Sequence, residues 1–349
     1  MNKSGMEEDV MLSVIVILFN SEKSLPALLS DIKQFAADDI ELLLIDDGST
    51  DESAELCACY APQNNRVRFV RQENAGPSAA RNNGLKNAIG RYVVFFDSDD
   101  RVDPAAFSSL LAQLRGKPEA DIWCSDFYWV DQDNVVFDRV FQIRETETPI
   151  RTPGYLQEYL NAPGCYWNVW RYVFRREFLL EHDLLFPEGW HCAEDMDFIT
   201  RCFLAEPHCS FYHNPYYHYV ISRSSLSHRL TAERMRHTAE MLGKSLQLVR
   251  VSNQTPGAKQ MEKKLLREYA IHLSMLYDVP RRERSEAKEA FSQQLWRLKT
   301  AEDGKYRLLY GGTQVLGLST IARISCAARH AWRLPRRLMR VVNNRGRLA

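Results

Sequence analysis

The sequence has little that would carry the chain through a membrane or staple it with metal. Its apolar opening run, Val10 to Phe19, is too short to span a bilayer. Glu7, Glu8 and Asp9 precede it, where a secretory leader carries positive charge. Eight cysteines are scattered without one Cys-x-x-Cys pair, so a zinc ribbon is not expected. Reduced thiols in a cytosol are the expectation for a chain without a leader. Lys plus Arg equals Asp plus Glu at 45 each, so no global field selects nucleic acid. No internal repeat and no low-complexity tract interrupts the 349 residues, a length that fits one large domain or two. Acidic residues are missing altogether after Asp303. Arg323, Arg329, Arg333, Arg336, Arg337, Arg340, Arg345 and Arg347 fill the space.

What is present is a rhythm of strands and helices. Val10 to Phe19 is β-branched and apolar, as a central strand buried on both faces must be. A helix is expected near Leu25 to Phe35, then a strand Glu41 to Ile45, a helix Ser53 to Tyr60 and a short strand Val67 to Val70. Turn chemistry at Asn74-Ala75-Gly76-Pro77 leads into a helix Ser78 to Ile89 with Gly90 as its expected terminating glycine, and a strand Arg91 to Phe96 follows. This alternation implies right-handed βαβ units and a parallel sheet covered by helices. Ligands of such sheets bind beyond the C-terminal strand ends. Asn20, Asp46, Asp47 and Asp97 to Asp99 all fall there.

The fourth strand delivers Asp97-Ser98-Asp99-Asp100. Carboxylates at a buried strand end are costly unless a cation neutralises them. Mg²⁺ is typically held by one or two carboxylates together with substrate phosphates. The acids therefore suggest metal-assisted chemistry on a phosphorylated substrate, or else an acidic turn leading into the cap at Asp103-Pro104. Further on, Asp121 to Val130 and Val135 to Ile143 read as a hairpin across Asp131 to Asn134. Tyr155 to about Leu180 is expected to be helical in part, Phe186 to Ala193 a loop, and a helix starts near Glu194. Helices dominate from Thr231. His191, His208, His213 and His218 lack tight zinc spacing and are expected to be structural.

Four motifs in order carry a resemblance. They are Ser13-Val14-Ile15-Val16 ending at Asn20, Leu44-Ile45-Asp46-Asp47-Gly48-Ser49-Thr50-Asp51, Asn74 to Gly84, and Asp97-Ser98-Asp99-Asp100. Together they resemble the family 2 glycosyltransferases, inverting enzymes of GT-A fold that use nucleotide-diphosphate sugars. Trp167 to Leu179, Phe186-Pro187-Glu188-Gly189, Glu194-Asp195 and Tyr216 to Tyr219 extend the likeness to about Arg229, toward bacterial enzymes of surface polysaccharide or lipopolysaccharide synthesis. Where many relatives have proline and tyrosine before the first asparagine, this chain has Ile17-Leu18-Phe19.

The resemblance implies an α/β GT-A (Rossmann-like) domain over 1–229, with a nucleotide-sugar half at about 10–103 and an acceptor half at about 104–229. A helical extension over 230–349 ends in the basic tail. Asp99 is the expected metal ligand for Mg²⁺ or Mn²⁺, with Asp97 contacting the ribose or the metal through water, and Asp100 capping or supporting. Phe19, Asn20, Glu22, Asp46, Asp47, Gly76 and Ser98 are expected to line the pocket for the donor, a UDP-sugar. Asn20 and Glu22 also read as a turn and cap, and one of Asp46 and Asp47 as a cap. Arg81 either reaches the diphosphate or braces Asp97. Asp195 is the expected base, Glu194 binds or orients the acceptor, and Asp197 is expected on the surface. Trp167 and Trp190 are the expected acceptor contacts. Arg223 and His228 either complete the phosphate and metal shell or sit in a surface loop. The acceptor is a glycan or lipid-linked glycan, with the protein on the cytoplasmic face of the inner membrane. The stretch Val315 to Leu348 either lies on an anionic bilayer or packs on the domain. The rival readings are an inactive glycan-binding scaffold and a sugar nucleotidyltransferase. The latter usually carries a basic, glycine-rich loop after the first strand, which Asn20-Ser21-Glu22 is not.

Overall fold

The computed structural model describes residues 10–116, 120–140, 149–150, 167–190, 192–221, 230–252 and 256–330. They pack as two compact units. One takes in Met1–Ser225 with Thr255–Gly257, the other Leu226–Gln254 with Ala258–Ala349.

The first unit is a mixed α/β layer structure. Strands β1 (Leu12–Leu18), β2 (Ile40–Asp46), β3 (Val67–Arg71) and β4 (Tyr92–Asp97) are mutually parallel. The apolar runs of β1, β2 and β4 are buried on both faces, β2 along its whole length, while β3 is only half-buried. Helices α1 (Leu25–Lys33), α2 (Ser53–Tyr60) and α3 (Pro77–Asn87) make the crossovers, and α4 (Pro104–Gly116) follows the short β5 (Arg101–Val102). The chain builds outward from β1 to β3, then returns to place β4 on the other side of β1. That reversal puts a topological switch point between β1 and β4, where open α/β sheets bind ligands.

Helix α3 lies unusually close to the sheet. A Cβ added at Gly84 would stand 2.3 Å from Ile15 Cγ2, so only glycine permits this approach. Gly90 does not terminate α3 as expected. The helix stops at Asn87 and Ala88 is already extended. Gly90 instead donates its N–H to Ser13 Oγ at 2.8 Å, where a Cβ would come within 2.5 Å of Ser13 N. Close packing against β1, and not a left-handed cap, is why glycine stands there.

Beyond β4 the sheet continues with β8 (Tyr172–Arg175), β6 (Ile122–Val130), β9 (Cys209–Val220) and β5, with β7 (Val136–Val140) paired to β6. The stretch is helical in part, as expected, at Val169–Arg171 and from Arg176, and β8 lies between these two helical pieces. After a single 3₁₀ turn at Val169–Arg171, Val173 pairs antiparallel with both Val94 and Trp123. Tyr172, Val173 and Phe174 are all buried, which suits a strand wedged between two others and leaves no polar helix face. Helix α5 (Arg176–Glu181) comes only afterwards. Arg171 is fully buried before it, donating to Ser125 O at 2.8 Å and lying over the Phe127 and Tyr172 rings. The hairpin turns where expected, with Asp131 N–H to Val135 O at 3.1 Å and Asn134 left-handed. Residues 141–143 of its second strand lie outside the described residues, as do Tyr155 and His191.

The second unit is helical: α7 (Ala232–Val251), α8 (Pro256–Met275), α9 (Arg284–Gln294), α10 (Trp296–Lys299), α11 (Gly304–Leu316) and a further helix over 318–330. Thr231 caps α7, its Oγ1 accepting from Arg234 N. Among the described residues no helix is long and apolar enough to cross a membrane. The tail over 331–349 lies outside them.

Candidate active site

Each parallel strand ends in polar residues, and the structure gathers them at one edge. After β1, Asn20 takes a left-handed conformation (φ 51°). Its N–H donates to Ser49 Oγ at 3.0 Å and its Oδ1 accepts from Thr50 N at 2.8 Å, tying the ends of β1 and β2 together. Phe19 beside it is 49% exposed, unusual for a phenylalanine next to a buried strand. Glu22 accepts from Glu52 N at 3.3 Å, and its own N–H goes to Asp51. Ser21 Oγ meets Ser98 Oγ at 2.6 Å, linking β1 to the acidic turn after β4.

The two aspartates after β2 have separate tasks. Asp46 is fully buried, accepting from Ser49 N at 3.0 Å and facing Arg71 Nε at 3.2 Å. Asp47 organises the loop before α3. Its Oδ1 accepts from Gln72 Nε2 (2.8 Å) and Ala75 N (2.9 Å), and its Oδ2 from Gly76 N (2.9 Å). Three donors on a carboxylate with about four acceptor positions leave room for roughly one more, on Oδ2. Gly76 is left-handed (φ 89°), and a Cβ there would meet nothing within 4 Å, so the loop backbone stands open to a ligand.

Helix α3 then presents three consecutive organising side chains. Arg81 is buried at 4% exposure and joins three carboxylates. Nη2 lies 3.0 Å from Asp97 Oδ1, while Nη1 lies 3.0 Å from Glu194 Oε1 and 3.1 Å from Asp195 Oδ1. Asn82 clasps the backbone of Phe186, Nδ2 to O at 2.9 Å and Oδ1 from N at 2.8 Å, and also donates to Glu188 Oε1 at 2.9 Å. Asn83 donates to Gln72 Oε1 at 2.7 Å, steadying the side chain that holds Asp47.

Glu194 and Asp195 open α6 (Glu194–Leu204), near the positive end of its dipole. Asp195 Oδ2 also accepts the Val169 N–H at 3.1 Å. Burial raises the Asp195 carboxyl to about 7; Arg81 opposes that rise, and the charges of Glu194 and Asp97 add to it. Asp99 is open to solvent yet crowded by protein. Desolvation and the charge of Asp97 push it to about 6, and among the described residues it has no ion pair. Asp100 is different. It is buried, accepting from Tyr217 Oη and Val220 N at 2.8 Å each, and so pins the acidic turn to β9. Burial and the neighbouring Asp99 and Asp97 raise it well above the usual range.

Among the described residues, one arginine is set against Asp97, Asp99, Glu194 and Asp195, which leaves this edge negative. Asp97 and Asp99 offer hard oxygen donors, and among the described residues no side chain neutralises Asp99, so the donor set fits Mg²⁺ or Mn²⁺.

The structure therefore brings Asn20, Asp47, Gly76, Arg81, Asp97, Ser98, Glu194 and Asp195 to one edge. Asp46 is turned into the fold. Asp197 is not on the surface as expected. It is 2% exposed and holds Arg201 Nε at 2.8 Å one turn on, since it lies about 200° round the helix from Asp195. Trp167 and Trp190 are half-buried. Arg223 and His228 lie outside the described residues. Gln72, Asn82, Asn83, Tyr217 and Val169 carry the site without having been singled out from sequence. Asn82 and Asn83 follow Arg81 directly within the third motif, which was the available signal.

A parallel sheet with carboxylates at its switch point, continued by a mixed set of strands and joined by a helix whose first turn brings a second pair of acids, is a GT-A architecture. Residues 13–179 match the family described as Glycosyl transferase family 2. Glycosyltransferase EpsJ of Bacillus subtilis is 33% identical over 195 residues, covering 55% of this chain and 56% of EpsJ. Thus the chain spans little more than half the length of that relative. Among solved structures, S. aureus TarS 1-349 in complex with UDP-GlcNAc superposes with a TM-score of 0.74 at 19% identity, covering 92% of each chain. Mannosyltransferase PcManGT from Pyrobaculum calidifontis, in complex with GDP-Man and Mn²⁺, reaches 0.53 at 16% identity, covering 93% of this chain and 87% of that one. Over residues 13–179 the chain is thus similar to family 2 glycosyltransferases.

Proposed function

We propose that the protein transfers a sugar from a nucleotide-diphosphate donor, a UDP-sugar, to a glycan or lipid-linked glycan hydroxyl, with inversion. The observation that carries this reading is the Arg81 clamp. It sets an acid of raised pKa, Asp195, at a fixed distance from the carboxylates suited to a diphosphate-bound cation. The donor nucleotide lies beyond β1 and β2, its base against the exposed Phe19 ring and the loop backbone at Gly76, with the remaining acceptor position of Asp47 for a base or ribose donor. A divalent cation at Asp97 and Asp99 supplies charge neutralisation for the leaving diphosphate.

Asp195 then accepts the proton of the acceptor hydroxyl as that oxygen bonds to the anomeric carbon. The carbon–oxygen bond to the diphosphate breaks with its electron pair, and attack from the opposite face inverts the centre. Arg81 keeps Asp195 aimed, and Glu194, held by the same guanidinium, orients the acceptor beside Trp167 and Trp190. The reading extends to surface polysaccharide or lipopolysaccharide synthesis at the cytoplasmic face of a membrane, where the run of arginines without acids after Asp303 would suit an anionic surface.

The test is a panel of UDP-, GDP- and dTDP-sugars with Mn²⁺, Mg²⁺ or EDTA, reading nucleotide release. Metal-dependent release from one UDP-sugar is expected. Absence of binding to every donor would leave the site as structure alone.

A further inference from the structure

The second unit holds a concentration of positive charge that the transfer chemistry does not use. Three cations from two helices converge on one ring, that of Tyr277. Arg284 Cζ lies 4.6 Å from its centroid, Lys288 Nζ 5.2 Å and Arg323 Cζ 5.2 Å. Arg284 and Lys288 are one turn apart on α9, and Arg323 comes from the helix over 318–330. A tyrosine ring attracts one cation but cannot neutralise three.

Among the described residues no carboxylate lies within 4 Å of any of the three. Of the nearby acids, Glu289 is exposed and makes no ion pair among the described residues, and three others are committed elsewhere. Asp278 holds Arg329 and His330, Glu283 faces Arg282, and Glu286 faces Arg236. Arg284 uses Nη2 on the backbone oxygens of Tyr277 (2.9 Å) and Val279 (3.0 Å), but its Nε has no partner. Burial would raise the Tyr277 hydroxyl, and the donors Arg323, Ser319 and Lys288 outweigh it and lower it.

The same helices expose apolar side chains. Helix α11 and the 318–330 helix form a hairpin through the left-handed Gly317, crossing where a Cβ at Gly312 would lie 3.1 Å from Ile321 Cδ1. Leu308 (78% exposed), Val315 (83%), Leu316 and Ile324 stand out from it, and Ile324 follows Arg323 directly. From Gly304 onward no acidic residue interrupts this segment.

We infer that this cationic cluster and the apolar hairpin form a docking face for an anionic phospholipid surface. The cluster receives headgroup phosphates and the exposed aliphatic side chains enter the boundary of the acyl region. The charge complementarity selects this occupant. A protein partner matching only the apolar face would not require three uncompensated cations beside it.

The test is co-sedimentation of the full chain with vesicles of phosphatidylcholine alone or with phosphatidylglycerol, without donor or acceptor, so the outcome is independent of the transferase reading. Binding only to the anionic vesicles is expected. R284Q/K288Q/R323Q should weaken it roughly a hundredfold, at about fivefold per basic group. K23Q/K33Q/K86Q, the same charge loss on exposed helix positions and turns of the first unit, should leave it nearly unchanged. Should the first variant fold poorly by circular dichroism, Leu308→Asp with Val315→Asp, at strongly exposed positions, should give the same loss. Equal weakening by both triple variants, or none by either the cluster or hairpin substitutions, would overturn the assignment. So would retention of inorganic phosphate by the cluster without vesicle binding.

Discussion

Arg81 Nη1 stands 3.1 Å from Asp195 Oδ1, joining a helix that follows the third strand to an acid 114 positions later in the chain. The same guanidinium holds Asp97 through its other nitrogen. The acid assigned to the acceptor and the acid assigned to the metal are therefore positioned by one side chain. Arg81→Met should lower kcat at least a hundredfold and destabilise the fold by about 3 kcal/mol, because buried carboxylates lose their cation. Arg81→Lys restores the charge but not the fork geometry. It should recover most of the melting temperature and little of the rate. Full activity in the lysine variant would mean that charge alone suffices.

Asp195 provides a pH signature. Its carboxyl is raised to about 7 by burial, so it is protonated below that and cannot accept a proton. The rate of transfer at saturating donor should rise about tenfold per pH unit below the midpoint and level off above it. Bound metal adds positive charge near Asp97, one of the groups that raise Asp195, so the midpoint should fall when Mn²⁺ is added. Asp195→Asn should lose at least a thousandfold in kcat while binding donor normally in calorimetry. A pH profile of unchanged shape in residual Asp195→Asn turnover would place the base elsewhere.

Much of this arrangement was legible before the fold. The apolar runs of β1, β2 and β4 and the acids that end them dictate a parallel sheet with one polar edge. Less legible was anything dependent on residues far apart in sequence. Tyr172 to Arg175 carries no turn glycine or alternation to announce a strand, and becomes one because β4 and β6 each leave an open edge for it. Asp46 and Asp47 look alike in sequence. Only the approach of Arg71 on one side and the 72–76 loop on the other separates a buried brace from a loop organiser. Asp197 and Asp195 differ only by 200° of helical turn.

Asp99 opposes stability and function. Its carboxyl is raised to about 6, so the folded state holds the proton more tightly than the unfolded chain does. That contribution is fully present below about pH 4 and is lost as pH rises through about 6. Asp99→Asn should therefore raise the metal-free melting temperature at pH 7.5 by a degree or two. The effect is small because water screens the group, which is exposed. The same variant should lose the stabilisation that Mn²⁺ plus UDP gives the parent. Scanning fluorimetry with and without Mn²⁺ and UDP reads both effects, and an unchanged metal response would remove Asp99 from the ligand set.

Asn82 should act on the acceptor side alone. Its clasp on Phe186 and Glu188 fixes the loop leading toward Trp190 and α6, while its neighbour Asn83 serves the Asp47 loop. Asn82→Ala should raise KM for acceptor several-fold and leave donor KM unchanged. Asn83→Ala should do the reverse. Crossed or identical effects in steady-state kinetics would show that the two loops do not act separately.

Gly84 ties the packing of α3 to the clamp that this helix carries. An alanine methyl would sit 2.3 Å from Ile15 Cγ2, and 3.4 Å from Ile45 Cγ1, in the layer between α3 and the sheet. Neither neighbour can withdraw, since both are fully buried. The helix must therefore move outward, at a cost of about 1–3 kcal/mol in denaturant titration. Because Arg81 lies about one turn earlier on the same helix, that movement should also loosen the clamp. The Gly84→Ala protein should thus lose activity per folded molecule in proportion to the lengthening of the Arg81 contacts. An undiminished rate in a destabilised variant would show that the clamp tolerates displacement of its helix.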